Sequence, residues 1–113
     1  MIDTVLALAI QAAQPCIAIT IKDDVECGLF IYDGGEVGAV TVGTKSEVTV
    51  YQKPNEKPVA FIHTHVKHGK PKPSQTDMAH ALKSSMVCDG VRYFVFSPDG
   101  ERTEYTQDFG KCK

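Results

Sequence analysis

The chain has 113 residues, 42% of them hydrophobic and 23% charged, and a formal net charge of -2. That length supports one domain with one hydrophobic core, and the composition is that of an ordinary soluble globular protein. A charge balance so close to neutral gives no reason to expect nucleic acid as a partner.

Val5, Leu6, Ala9, Ile10 and Ala13 recur at three- and four-residue spacing, which predicts a helix over residues 3–14 with one core-facing stripe, ended by Pro15. The apolar stretch Met1–Ala13 carries Asp3 and no basic flank. It is shorter than the roughly 20 apolar residues a bilayer span needs and lacks the pattern of a signal peptide. No membrane association is expected, and the expected location is cytoplasmic, with export lacking a cleaved signal as the alternative. Residues 16–21 alternate weakly and read as a short strand, and Lys22-Asp23-Asp24 reads as a polar break.

Glu26-Cys27-Gly28 opens a second apolar run, Leu29-Phe30-Ile31-Tyr32, which stops at Asp33-Gly34-Gly35-Glu36, a hairpin turn whose glycines can take positive φ. Val37 to Val42 and Val48 to Tyr51 are β-branched segments separated by Gly43-Thr44-Lys45-Ser46, and residues 52–58 form a polar loop. Val59-Ala60-Phe61-Ile62 is a strand that runs into His63-Thr64-His65. Residues 66–73 make a basic loop containing Lys67, His68, Lys70 and Lys72. It reads as a solvated loop or as a rim that favours an acidic substrate surface. Residues 75–87 form a predicted helix with Met78, Leu82 and Met86 on one face, ended by Asp89-Gly90. Val91 to Phe96, the turn Ser97-Pro98-Asp99-Gly100, and Arg102 to Thr106 give a C-terminal hairpin, and residues 107–113 a frayed tail. The fold class is α+β: a mixed β-sheet flanked by helices, in a single domain over residues 1–113.

None of the four cysteines, Cys16, Cys27, Cys88 and Cys112, forms a C-x-x-C pair. A zinc–thiolate knuckle is not expected, and single thiols in a reducing compartment are.

His63 and His65 lie on the same side of a strand, because side chains alternate faces with period two. Ser74-x-x-Asp77 reads as a capping box, Ser74 capping the helix and Asp77 answering from its third position. A cap also fixes a helix start where a ligand needs to be fixed. His63, His65 and Asp77 are then three candidate metal ligands, converging from a strand end and a helix start. Imidazole and carboxylate are a normal set for zinc, and three protein ligands leave a fourth position for water, as in a catalytic site.

The strand ending in His63-Thr64-His65, the loop, the Ser74-x-x-Asp77 helix start and the upstream run Glu26-Cys27-Gly28-Leu29-Phe30 together resemble the signature of the JAMM (JAB/MPN-plus) zinc metalloprotease family. The resemblance covers residues 3–106. It implies a JAB/MPN-like fold in which His63, His65 and Asp77 ligate Zn2+. It also implies Glu26 as the general acid/base and Ser74 as the group that stabilises the oxyanion. The implied activity is hydrolysis of a peptide or isopeptide bond in a peptide, protein or ubiquitin-like substrate. Elementary chemistry agrees with those roles. Zinc brings the pKa of its water down to about 7, so a carboxylate nearby can take the proton and pass it to the leaving amine. The oxyanion needs the metal and a donor such as a hydroxyl.

Two departures stand out. Val66 replaces a proline common in the family, and residues 66–76 make the spacing to Asp77 one residue longer than the usual pattern. Compact bacterial or phage-type JAB-like domains match better than the deubiquitinating members with their ubiquitin-gripping insertions. Two other functions suit the same fold: a non-catalytic MPN-like binding or scaffold module, and a hydrolase of a non-protein amide. The presence of every ligand position favours the enzyme. Glu36 competes with Glu26 for the role of base but sits in a turn, where an exposed acid is expected. His68 reads as loop surface, and His80 as surface or as a neighbour of the site on the Asp77 helix face. Cys27 alternates with Glu26 and so points into the core, which excludes it as a nucleophile. The edge strands of a small mixed sheet leave the oligomeric state open.

Overall fold

The Asp3 carboxylate accepts the Leu6 N–H at 3.0 Å, satisfying one of the donors that a helix start leaves open. In the computed structural model, which describes residues 2–66 and 90–105, helix α1 then runs Thr4–Asp23 straight through Pro15. The first helix is therefore longer than the spacing predicts, and the segment read as a strand over 16–21 is helical. The cause is tertiary. Ala9, Ala12, Ala13, Cys16, Ile17 and Thr20 are buried, a three- and four-residue spacing that carries across the proline. Packing of that stripe outweighs the roughly 3 kcal/mol that a proline costs inside a helix. The helix stops where Asp24 turns left-handed (φ 55°, ψ 48°) and donates its N–H to the Thr20 carbonyl. At 20 residues α1 is long and apolar enough to cross a bilayer by length and composition alone. Its buried stripe packs on the sheet.

Strands β1 (Cys27–Tyr32), β2 (Thr41–Val42), β3 (Pro58–Thr64), β4 (Arg92–Phe96) and β5 (Arg102–Glu104) form one sheet in the order β2-β1-β3-β4-β5. β3 and β4 are parallel and the other neighbours antiparallel. The sheet is mixed, and the class is α+β with one helix among the described residues. After β1 the chain reverses as expected: Gly34 and Gly35 have φ of 89° and 88°, and the Tyr32 N–H meets the Glu36 carbonyl at 2.8 Å. Past the Ile31–Val37 bridge, the return segment pairs in ladder form only at Thr41–Val42. Residues 48–51 form no strand. Val48 and Val50 are half-buried there, but among the described residues no neighbouring strand pairs with the segment, and Tyr51 is 86% exposed. The C-terminal hairpin forms as predicted, closed by Ser97 N–H to the Glu101 carbonyl at 2.8 Å.

Strand alternation divides the interior. Cys27, Leu29, Ile31, Ala60, Ile62, Phe94 and Phe96 pack with the α1 stripe. Phe61, Val91, Tyr93, Val95 and Tyr105 form a second cluster. Each large apolar side chain buried this way contributes about 1.5–3 kcal/mol. Cys16 of α1 and Cys27 of β1 form a disulfide, their Cα atoms 5.3 Å apart. This corrects the expectation of single thiols for Cys16 and Cys27: sequence spacing alone does not show which cysteines meet, and the packing of α1 on β1 brings these two together. The 66–73 loop beyond Val66, the helix over 75–87 and the tail over 107–113 lie outside the described residues. So do Ser74, Asp77, His68, His80, Cys88 and Cys112.

Candidate functional site

His63 lies near the end of β3, in register with Gly28 of β1 and Val95 of β4. Alternation sends Ile62 and Thr64 towards α1 and sends Phe61 and His63 to the other face. His65 follows the last strand residue, yet its N–H still donates to the Phe96 carbonyl at 2.9 Å. The ladder beside β4 therefore continues, and the alternation with it. Both imidazoles end on one face, with His63 Nε2 and His65 Nε2 3.3 Å apart and the rings inclined at 61°.

Two arrangements fit that distance. One ring can donate a hydrogen bond to the other when their tautomers are complementary. Alternatively, the two nitrogens can bind one ion: two ligands each about 2.05 Å from a tetrahedral zinc lie about 3.3 Å from each other. The separation of the two nitrogens is thus the one that two imidazole ligands of a single zinc ion have. Among the described residues no third His, Cys, Asp or Glu joins it to complete a three-ligand cluster.

Neighbouring rings hold His63. Phe61 stacks on it at 5.6 Å and 26°, and Tyr105 meets it edge-on at 6.1 Å and 89°. The ring is 2% exposed, while His65 is half-buried. Opposite His63, Gly28 carries no side chain. A Cβ there would lie 2.9 Å from Val50 Cγ2 and 3.1 Å from the Ile62 carbonyl, crowding the strand that carries the histidine.

Glu26 precedes β1. Its N–H donates to the Thr44 carbonyl and its own carbonyl accepts the Gly43 N–H, both at 2.7 Å. Continuing the Gly28–His63 register by two residues sets Glu26 level with His65, on the same face as both histidines. Three of the residues singled out in the sequence, Glu26, His63 and His65, thus lie at one end of the sheet, although they come from segments far apart in the chain. Ser74 and Asp77 lie outside the described residues. Glu36 stands at the opposite end of β1, its carboxylate 2.6 Å from Lys53 Nζ. Cys27 is fully buried on the α1 side, as its alternation with Glu26 requires.

Thr64 and Thr20 were not legible as partners. Thr64 stands inside the His63-Thr64-His65 motif, but its contact lies across the sheet on α1, at a position read as strand. The two hydroxyl oxygens are 2.6 Å apart, and both residues are fully buried.

No protein-family model matches the chain, and no curated protein matches it.

Proposed function

We propose that this chain is a JAMM-like zinc metallopeptidase on a JAB/MPN-like fold, cutting a peptide or isopeptide bond in a peptide, protein or ubiquitin-like substrate. The observation that carries the reading is the 3.3 Å approach of His63 Nε2 and His65 Nε2, the separation a single tetrahedral ion imposes on two imidazoles. His63 and His65 hold the ion, with Asp77 as the third ligand. When bound, zinc supplies Lewis acidity and brings the pKa of a water molecule down to about 7. Glu26, half-buried on the same face, takes a proton from the attacking water and returns it to the departing amine nitrogen as the C–N bond breaks. Ser74 donates a hydrogen bond to the oxygen that gains charge. The backbone bonds from Glu26 to Gly43 and Thr44 support its role, since they hold the base in place before substrate arrives.

The same 3.3 Å contact also fits a hydrogen bond between the rings, and with it a metal-free, non-catalytic binding module. Zinc content separates the two readings. Elemental analysis after exchange into metal-free buffer should find about one zinc per chain in the wild type and in Glu26→Ala, and none in His63→Ala. Glu26→Ala should also lose hydrolysis of peptide and isopeptide substrates. A wild-type protein that takes up no zinc when offered it would leave the binding module as the reading.

A further inference from the structure

The face of the sheet behind the histidines carries a short chain of hydroxyls with a defined direction. Thr20 Oγ1 donates to the Val25 carbonyl at 2.8 Å. Its single proton being so used, it must accept the proton of Thr64, whose Oγ1 lies 2.6 Å away. Thr64 Oγ1 in turn accepts the Cys27 N–H at 3.1 Å. The Cys27 carbonyl, at 3.4 Å, is a poorer acceptor for the same Thr64 proton. The sequence of donors is therefore Cys27 N–H, Thr64 hydroxyl, Thr20 hydroxyl, ending at the Val25 carbonyl.

The two ends of this relay are the residues on either side of Glu26. Its centre is the residue between His63 and His65. Glu26 itself is held from the other edge by Gly43 and Thr44. One buried network thus joins the segment carrying the base to the segment carrying both imidazoles, and anchors both to α1. Packing alone does not require hydroxyls here. Both threonines are fully buried in a largely apolar layer, where valine has the same shape, and a buried hydroxyl is costly unless it is bonded.

We propose that Thr64 and Thr20 are positioning residues for this site: their relay sets the spacing of His63 and His65 and their alignment with Glu26. The inference rests on the zinc reading of the histidine pair. Supporting contacts around metal ligands typically change affinity 10- to 100-fold when removed.

The test uses the full chain and zinc itself, with affinity measured against a chromophoric chelator and geometry read from the visible spectrum of the cobalt-loaded protein. Thr64→Val should weaken zinc binding about tenfold and shift the cobalt spectrum, and Thr64→Ser, which keeps the hydroxyl, should restore both. Arg92→Gln, which loosens the fold at the opposite end of β4 and α1, is the control and should leave affinity and spectrum unchanged. If Thr64→Val does not fold, Thr20→Val tests the same relay, because it cuts the link to Val25 while leaving the Cys27 N–H bonded to Thr64. Wild-type affinity and spectrum in the foldable valine variant would overturn the inference, as would an equal loss in Arg92→Gln. A wild-type chain that binds no zinc would overturn the reading beneath it, and the inference with it.

Discussion

Arg92 donates to two carboxylates at once. Its NH1 and NH2 groups bond Asp3 at 2.7 and 2.9 Å, and Nε and NH2 bond Glu104 at 2.8 and 2.7 Å. Such forked pairs are stronger than single charged contacts, and this one ties the start of α1 to β4 and β5. Hydrogen bonding to Arg92, helped by the Leu6 N–H, lowers the Asp3 pKa from 3.8 to about 2. A carboxyl whose pKa falls on folding stabilises the fold while ionised. Its contribution is complete above about pH 4 and is lost as pH falls towards 2. The gap in Tm between wild type and Asp3→Asn should thus be constant from pH 7 to about 4 and close by pH 2. A gap that widens on acidification would contradict the assignment. Salt should shrink the gap, because the Asp3 side chain is 44% exposed. Gly28 is the second sensitive residue. Gly28→Ala should cost about 1–3 kcal/mol in urea unfolding, since the added carbon meets Val50 and the Ile62 carbonyl.

Among the elements, α1 shows local preference yielding to packing. A proline normally ends a helix because it lacks the N–H and clashes with the preceding turn. Here the buried stripe continues to Ile17 and Thr20, and the gain from burying it exceeds the local cost. Pro15→Ala should therefore raise stability by about 1–2 kcal/mol, less than the full helix-propensity difference because proline also restricts the unfolded chain. Urea denaturation followed by far-ultraviolet circular dichroism measures it. A loss of stability would mean that the proline's restriction of the unfolded chain outweighs its cost to the helix. Residues 37–51 show the converse. Their composition favours strand, but a ladder forms only where a neighbour supplies the partner groups, at Thr41–Val42.

At the scale of the whole molecule, the antiparallel pairing of β1 and β3 brings the start of one strand beside the end of the other. Glu26 and the histidines therefore lie at the same end of the sheet despite the long connection between them. The Cys16–Cys27 bond locks α1 to the same end of the sheet. A disulfide closing a loop with a sequence separation of 11 residues stabilises a fold by about 2–3 kcal/mol, chiefly through the unfolded state. Cys16→Ser/Cys27→Ser should lower stability by that amount relative to the oxidised wild type. Alkylation of the denatured, unreduced protein should leave Cys16 and Cys27 unlabelled. Labelling of both would contradict the Cys16–Cys27 bond and leave the two as single thiols.

What the sequence determined by itself was local. The turn at Asp33–Glu36, the strands through Leu29–Tyr32 and Val59–Ile62, the C-terminal hairpin and the shared face of His63 and His65 follow from glycine placement and period-two alternation, which need no distant partner. The tertiary structure decided whatever depends on residues far apart in the chain. It carried α1 through Pro15, paired Cys16 with Cys27, joined Thr20 to Thr64 and set the two Nε2 atoms 3.3 Å apart. Short-range sequence patterns record the preference of a backbone segment. Which segment crosses which, and at what distance, is set by burying α1 and the sheet against each other, and that term is invisible until both are in place.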